Sequence, residues 1–168
     1  MKLLLIIFVM FLLSPSLYGD VYYSVNAGCE DNKVGVEGGR VFEKDGKTPL
    51  SLNSIVQYIY VGPDGKINFP TNGGDVSEDD IILKTFKVGS DSVWLIFKDK
   101  PGLFYNGLSG ALKNNVQQVK LYIRAWSNKT GFYGDSEVFT AESSRVLVPA
   151  PNDIGISSFI TSIEAKND

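Results

Sequence analysis

The stretch "QVKLYIRAW", residues 118–126, changes character at every step. Val119, Leu121, Ile123 and Ala125 fall on one side, and Lys120, Tyr122, Arg124 and Trp126 on the other. A period of two is the signature of a β-strand, whose successive side chains point to opposite faces. One apolar and one mixed polar–aromatic face favour an antiparallel sheet with one side on a core and the other towards water or under a loop.

Strand signals recur on both sides of that segment. "SIVQYIYV" (Ser54 to Val61) and "DIILKTFKV" (Asp80 to Val88) are rich in β-branched and aromatic residues, and "SVWLIF" (Ser92 to Phe97) follows after Gly89, Ser90 and Asp91, a hairpin-sized gap. "VGVEGGRVFE" (Val34 to Glu43) runs into "KDGK", where Asp45-Gly46 suits a tight turn. "SEVFTA" and "RVLVP" complete the series, closed by Pro149 and Pro151. The best helical window is "SGALKNNVQQV", Ser109 to Val119, with Ser109 as an N-cap; one short turn is all it supports. Seven or eight short strands with at most one short helix predict an all-β, antiparallel β-sandwich.

The chain opens with "MKLLLIIFVMFLLSPSLYGD": one charge at Lys2, an apolar run from Leu3 to Leu13, then Pro15 and small or polar residues. That is the pattern of a secretory signal peptide, and the run is short of the roughly 20 residues that span a bilayer. The expected organisation is a signal peptide at 1–19, a β-sandwich domain at 20–150, and a tail or extra edge strand at 151–168. The expected location is outside the cytoplasm: secreted, periplasmic or at the cell surface, with no transmembrane anchor once the signal is removed. A cut after Gly19 takes the 168-residue chain to 149 residues, a single-domain length. Without Lys2 the chain holds 15 basic against 19 acidic residues, and the basic ones are scattered, which argues against nucleic acid and anionic membranes as partners. Cys29 is the single cysteine, so no intramolecular disulfide forms; "NAGC" departs from a lipidation signal at Asn26, which leaves a buried or free thiol as the plain reading.

The run "LYIRAWSNKTGFYGDSEVFTA", Leu121 to Ala141, resembles the last hairpin of fibronectin type III and immunoglobulin-like domains. Tyr122, Ile123 and Arg124 sit where that family has its Tyr-x-Val-Arg-Val-like strand; Asn128 and Gly131 fall in the turn, with Gly134 and Ser136 leading to the closing strand. The resemblance implies a sandwich acting as a binding or assembly module. The sequence departs from the family upstream, where the early-strand Trp is missing, and the mature length exceeds the roughly 100 residues of such a domain.

Catalytic chemistry is sharply bounded. The chain contains 0 His, which removes Ser-His-Asp and Cys-His machinery and nearly all catalytic zinc sets. "GVEGGR" lacks the lysine and following helix of a phosphate loop. A carboxylate-based glycoside hydrolase needs only two facing acids, but Glu78, Asp79 and Asp80 are adjacent and read as a solvated loop. The expectation is a protein that is not an enzyme.

Two ligand readings remain. In "YVGPDGKINFPTNGGDVSEDDI", residues 60–81, the "DGKIN" core resembles part of a calcium loop, but Tyr60, Gly62 and Thr71 stand at the first, third and twelfth ligand positions. A looser Ca2+ site would use Asp64, Asn68, Asp75, and Asp79 or Asp80; the plain alternative is a proline-led turn with solubilising acids. On the alternating strand, Tyr122, Arg124 and Trp126 could stack on a sugar if exposed, or else pack with one another. The partners this allows are a protein or a glycan, with oligomeric state left open. "NKT" at Asn128 is a glycosylation sequon in a eukaryotic source and otherwise a turn.

Overall fold

A computed structural model gives the fold and describes residues 22–27, 40–71, 74–89, 98–109, 118–142, 153–156, 159–161 and 163–164. These contain eleven strands and no helix. They are β1 (Tyr22–Ala27), β2 (Val41–Phe42), β3 (Ile55–Tyr60), β4 (Ile81–Lys87), β5 (Phe104–Ser109), β6 (Gln118–Trp126), β7 (Phe132–Asp135), β8 (Phe139–Glu142), β9 (Asp153–Ile156), β10 (Phe159–Ile160) and β11 (Ile163–Glu164).

The largest sheet runs β11-β7-β6-β3-β4, and β8 pairs with the same side of β6 as β7. All its ladders are antiparallel, and it does not close into a barrel. The alternating segment is strand β6 over the same nine residues the pattern marks. β3 and β4 lie within the predicted strands 54–61 and 80–88. The predicted strand at 34–43 is realised at Val41–Phe42; its earlier part, the strands at 92–97 and 145–149, Cys29 and the segment 1–19 lie outside the described residues. Ser109, read as a helix cap, instead ends β5 opposite Tyr22, while residues 110–117 of that window are outside the description.

Beside this sheet, β1 pairs antiparallel with β5 and parallel with β9, and β10 pairs parallel with β2. The core lies on the apolar side of β6. Val119, Leu121, Ile123 and Ala125 meet Val56 and Tyr58 of β3, Phe86 of β4, Phe104 of β5, and Val41 and Leu50. Edge-on rings join the elements: Tyr58 and Phe86 have centroids 4.8 Å apart, and Phe86 and Phe104 5.3 Å.

Two devices hold the connections. In the 44–47 turn only Gly46 has positive φ, and the Asp45 carboxylate accepts bonds from the Lys47 and Thr48 amides and the Thr48 hydroxyl, forming an Asx turn. Between β7 and β8, the Ser136 amide donates to the Ile123 carbonyl while the Ser136 hydroxyl accepts from the Ile123 amide, so a side chain carries the ladder across the break.

Candidate functional site

The mixed face of β6 is not a flat, wet surface. Tyr122 and Arg124 are fully buried, because the described parts of the connection from β3 to β4, residues 61–71 and 74–80, fold back over them. Ile59, Val61 and Tyr122, with Ile67, Val76 and Ile82 against them, make a second apolar cluster on this side. The sheet is therefore covered on both faces here, by a core on one and by an acidic loop on the other.

Arg124 is the hub. Its Nε and Nη2 donate to the two Asp135 carboxylate oxygens at 2.7 and 2.8 Å, and Nη2 also donates to the Asn68 carbonyl at 2.7 Å. β6–β7 pairing sets residues 124 and 135 opposite each other, so the ladder register itself forms the ion pair. The guanidinium carbon lies 5.4 Å from the Tyr122 ring centre and 4.9 Å from that of Tyr133, flanked by two π-faces. Burial disfavours its charge, and the hydrogen bonds and charge of Asp135 outweigh that, so its pKa stands above the ordinary value. Burial also pushes the Asp135 carboxyl upward, against the pull of Arg124.

A second chain of bonds joins the loop to the sheet. The Tyr122 hydroxyl donates to Asp80 at 2.7 Å, and the same carboxylate oxygen accepts the Asn68 amide at 3.1 Å. The Asn68 side chain donates to Asp79 at 3.1 Å, whose other oxygen accepts the Asp64 amide at 3.3 Å. Burial, and then the bond to Asp80, push the Tyr122 hydroxyl pKa upward. Gly62 has φ of 65°, and a Cβ there would lie 2.4 Å from the Asp79 carboxyl, so this turn requires glycine for both conformation and space. Farther along, Gln57 accepts from the Trp126 indole at 2.9 Å and donates to the Gly74 carbonyl at 3.2 Å, while Trp126 packs on Tyr133 with ring centres 4.9 Å apart.

Among the residues considered for calcium, Asn68, Asp79 and Asp80 are thus brought together, with the Asp64 backbone beside them. Asp75 instead stands on the 71–75 turn, its carbonyl accepting the Thr71 amide. Asn68 presents its amide nitrogen to Asp79, a donor where a cation needs an oxygen. No group of three His, Cys, Asp or Glu side chains placed to hold a metal occurs among the described residues. Of the sugar-stacking candidates, Tyr122 and Arg124 are interior and Trp126 is half-buried. Asn128 is exposed in the β6–β7 turn, its side-chain amide donating to the Leu52 carbonyl.

Asp135, Gln57 and the Asn68 carbonyl are members that sequence reasoning did not mark. The signal for Asp135 was available: in a hairpin with a turn at 127–131, position 135 faces Arg124, and an acid opposite an Arg is an ion pair. No family model, curated protein or solved structure matches the chain. No helix among the described residues is long and apolar enough to cross a membrane.

Proposed function

We propose that this chain is an exported, non-catalytic β-sandwich module that works in adhesion, surface assembly or binding outside the cytoplasm. The observation that carries this reading is the closed face of β6. Arg124 is bonded to Asp135 and the Asn68 carbonyl, and Tyr122 to Asp80, beneath residues 61–71 and 74–80, so these bonds serve the fold, with Arg124 Nη1 and Asp80 Oδ1 left buried without a hydrogen-bond partner. The two layers of the sandwich are the β11-β7-β6-β3-β4 sheet and the β5-β1-β9 ladder. Phe104 at the start of β5 supports this, being buried against Phe86 of the larger sheet. The likeness of residues 121–141 to a fibronectin type III hairpin supports the same architecture, and the signal-like segment at 1–19 supports export.

A sugar-binding module would need Tyr122 and Trp126 presented together, and Tyr122 is interior. Fractionation of expressing cells with intact-mass measurement tests the export half. A chain recovered outside the cytoplasm and lacking about the first 19 residues is expected, whereas a full-length cytoplasmic chain contradicts it. A glycan array tests the other half: no binding is expected, and binding abolished by Trp126→Ala contradicts the closed-face reading.

A further inference from the structure

Among the described residues, three buried side-chain atoms have no hydrogen-bond partner, and two of them belong to the network on the second face of β6: Arg124 Nη1 and Asp80 Oδ1. Arg124 is fully buried, and Asp80 keeps 5% of its surface in water. Buried polar atoms in folded proteins are almost always bonded, to protein or to ordered water, and an unbonded atom on a charged group is more costly than one on a neutral group. One orphan here is a donor and the other an acceptor, so a single partner can satisfy both.

The two side chains are fastened to opposite ends of one residue. Arg124 Nη2 donates to the Asn68 carbonyl at 2.7 Å, and the Asn68 amide donates to Asp80 Oδ2 at 3.1 Å. Tyr122 makes a second link: its hydroxyl donates to the same Asp80 oxygen at 2.7 Å, and its ring centre lies 5.4 Å from the guanidinium carbon. Burial first, and with it the charge of Asp80, pushes the Asp135 carboxyl upward, which sets Asp80 near the carboxylate that holds Arg124. With Nε, Nη2 and Oδ2 committed, Nη1 and Oδ1 are what each group has left to offer.

The chemistry of the two atoms narrows what joins them. A guanidinium nitrogen only donates, and an ionised carboxylate oxygen only accepts, so the partner must accept from one and donate to the other. A metal cation has no lone pair to offer Nη1 and is repelled by the guanidinium. A halide has no proton to offer Oδ1 and is repelled by the carboxylate. Water does both, carries no charge, and is small enough for a place between two buried side chains.

We propose that Arg124 Nη1 and Asp80 Oδ1 form a binding site for one internal water molecule, which accepts from the first, donates to the second and ties the β3–β4 connection to β6. This goes beyond the module reading, since the face can be closed with or without it. The test is a crystal structure of the protein that shows ordered solvent, from crystals grown with bromide in place of chloride. A density peak within about 2.7–3.2 Å of both atoms, refining as a fully occupied water without bromide's anomalous signal, is the expected result. A bromide signal at that place means an adventitious ion only and overturns the proposal. Nη1 bonded straight to Oδ1, or a dry pair beneath a closed connection, overturns it too and leaves the module reading standing, whereas a connection open to bulk solvent overturns both. Oxygen-17 relaxation dispersion checks the same point without a lattice: at least one water held far longer than surface water is expected, and none overturns the proposal.

Discussion

Arg124 shows how one side chain sets the character of a whole face. A guanidinium cannot shed its proton, so burying it requires acceptors; Asp135 and the Asn68 carbonyl supply them to Nε and Nη2, while Nη1 is buried without a hydrogen-bond partner. Removing one partner strands the other. Asp135→Ala is expected to cost about 3–5 kcal/mol in urea unfolding, and pairing it with Arg124→Met should recover much of the loss, because an apolar replacement of both partners avoids the unpaired charge. Tyr122 gives a pH signature. Its folded pKa is raised above the ordinary 10.0, so its contribution is complete below that value and fades as pH rises past it, when the unfolded chain ionises and the folded one does not. Tyr122→Phe should show a shallower alkaline fall in unfolding midpoint than the parent chain. Asp45 acts at the other end of the scale. Bonds from Thr48 first, and then from the Lys47 amide, lower its pKa from 3.8 to about 2, so its stabilisation is present above the ordinary value and is lost as pH falls through about 2. Asp45→Asn should lower the unfolding midpoint less between those two pH values, and an unchanged acid profile would count against the Asx turn.

At the scale of elements, β6 was fully legible because period-two alternation is a purely local property and the strand obeys it over all nine residues. β3 and β4 were legible for the same reason. What covers the second face of β6 was not. The segment 60–81 carries turn residues and acids that fit a solvated loop, and only the tertiary fold turns Asn68, Asp79 and Asp80 towards Tyr122 and Arg124. The resemblance of "DGKIN" to a calcium loop arose because a turn over a sheet needs the same residues: glycine at Gly62 and Gly65, with side-chain caps such as Asp64 on the Lys66 amide. Gly62→Ala should therefore unfasten the loop through its clash with Asp79 and lower thermal stability, while chelator and millimolar calcium should leave the unfolding midpoint of the parent chain where it is. A clear upward shift with calcium would contradict the donor role given to Asn68.

For the whole molecule, the sheet carries its core on one side and its acidic loop on the other, so the face that holds Tyr122 and Arg124 is covered. The all-β character followed from composition and turn spacing, but the routes of the chain ends did not. Parallel pairing of β9 with β1 and of β10 with β2 joins residues far apart in sequence, and no local pattern encodes such partners. The closed face depends on residues 61–71 and 74–80 staying packed over Tyr122 and Arg124. Native-state hydrogen exchange of the Asn68 amide, which donates to buried Asp80, reports this directly. Protection close to that of the Ile123 amide in β6, lost together in one cooperative unfolding, is the predicted result. Exchange of Asn68 at the rate of an open loop while Ile123 stays protected would mean that the face opens to solvent, and would contradict the closed module.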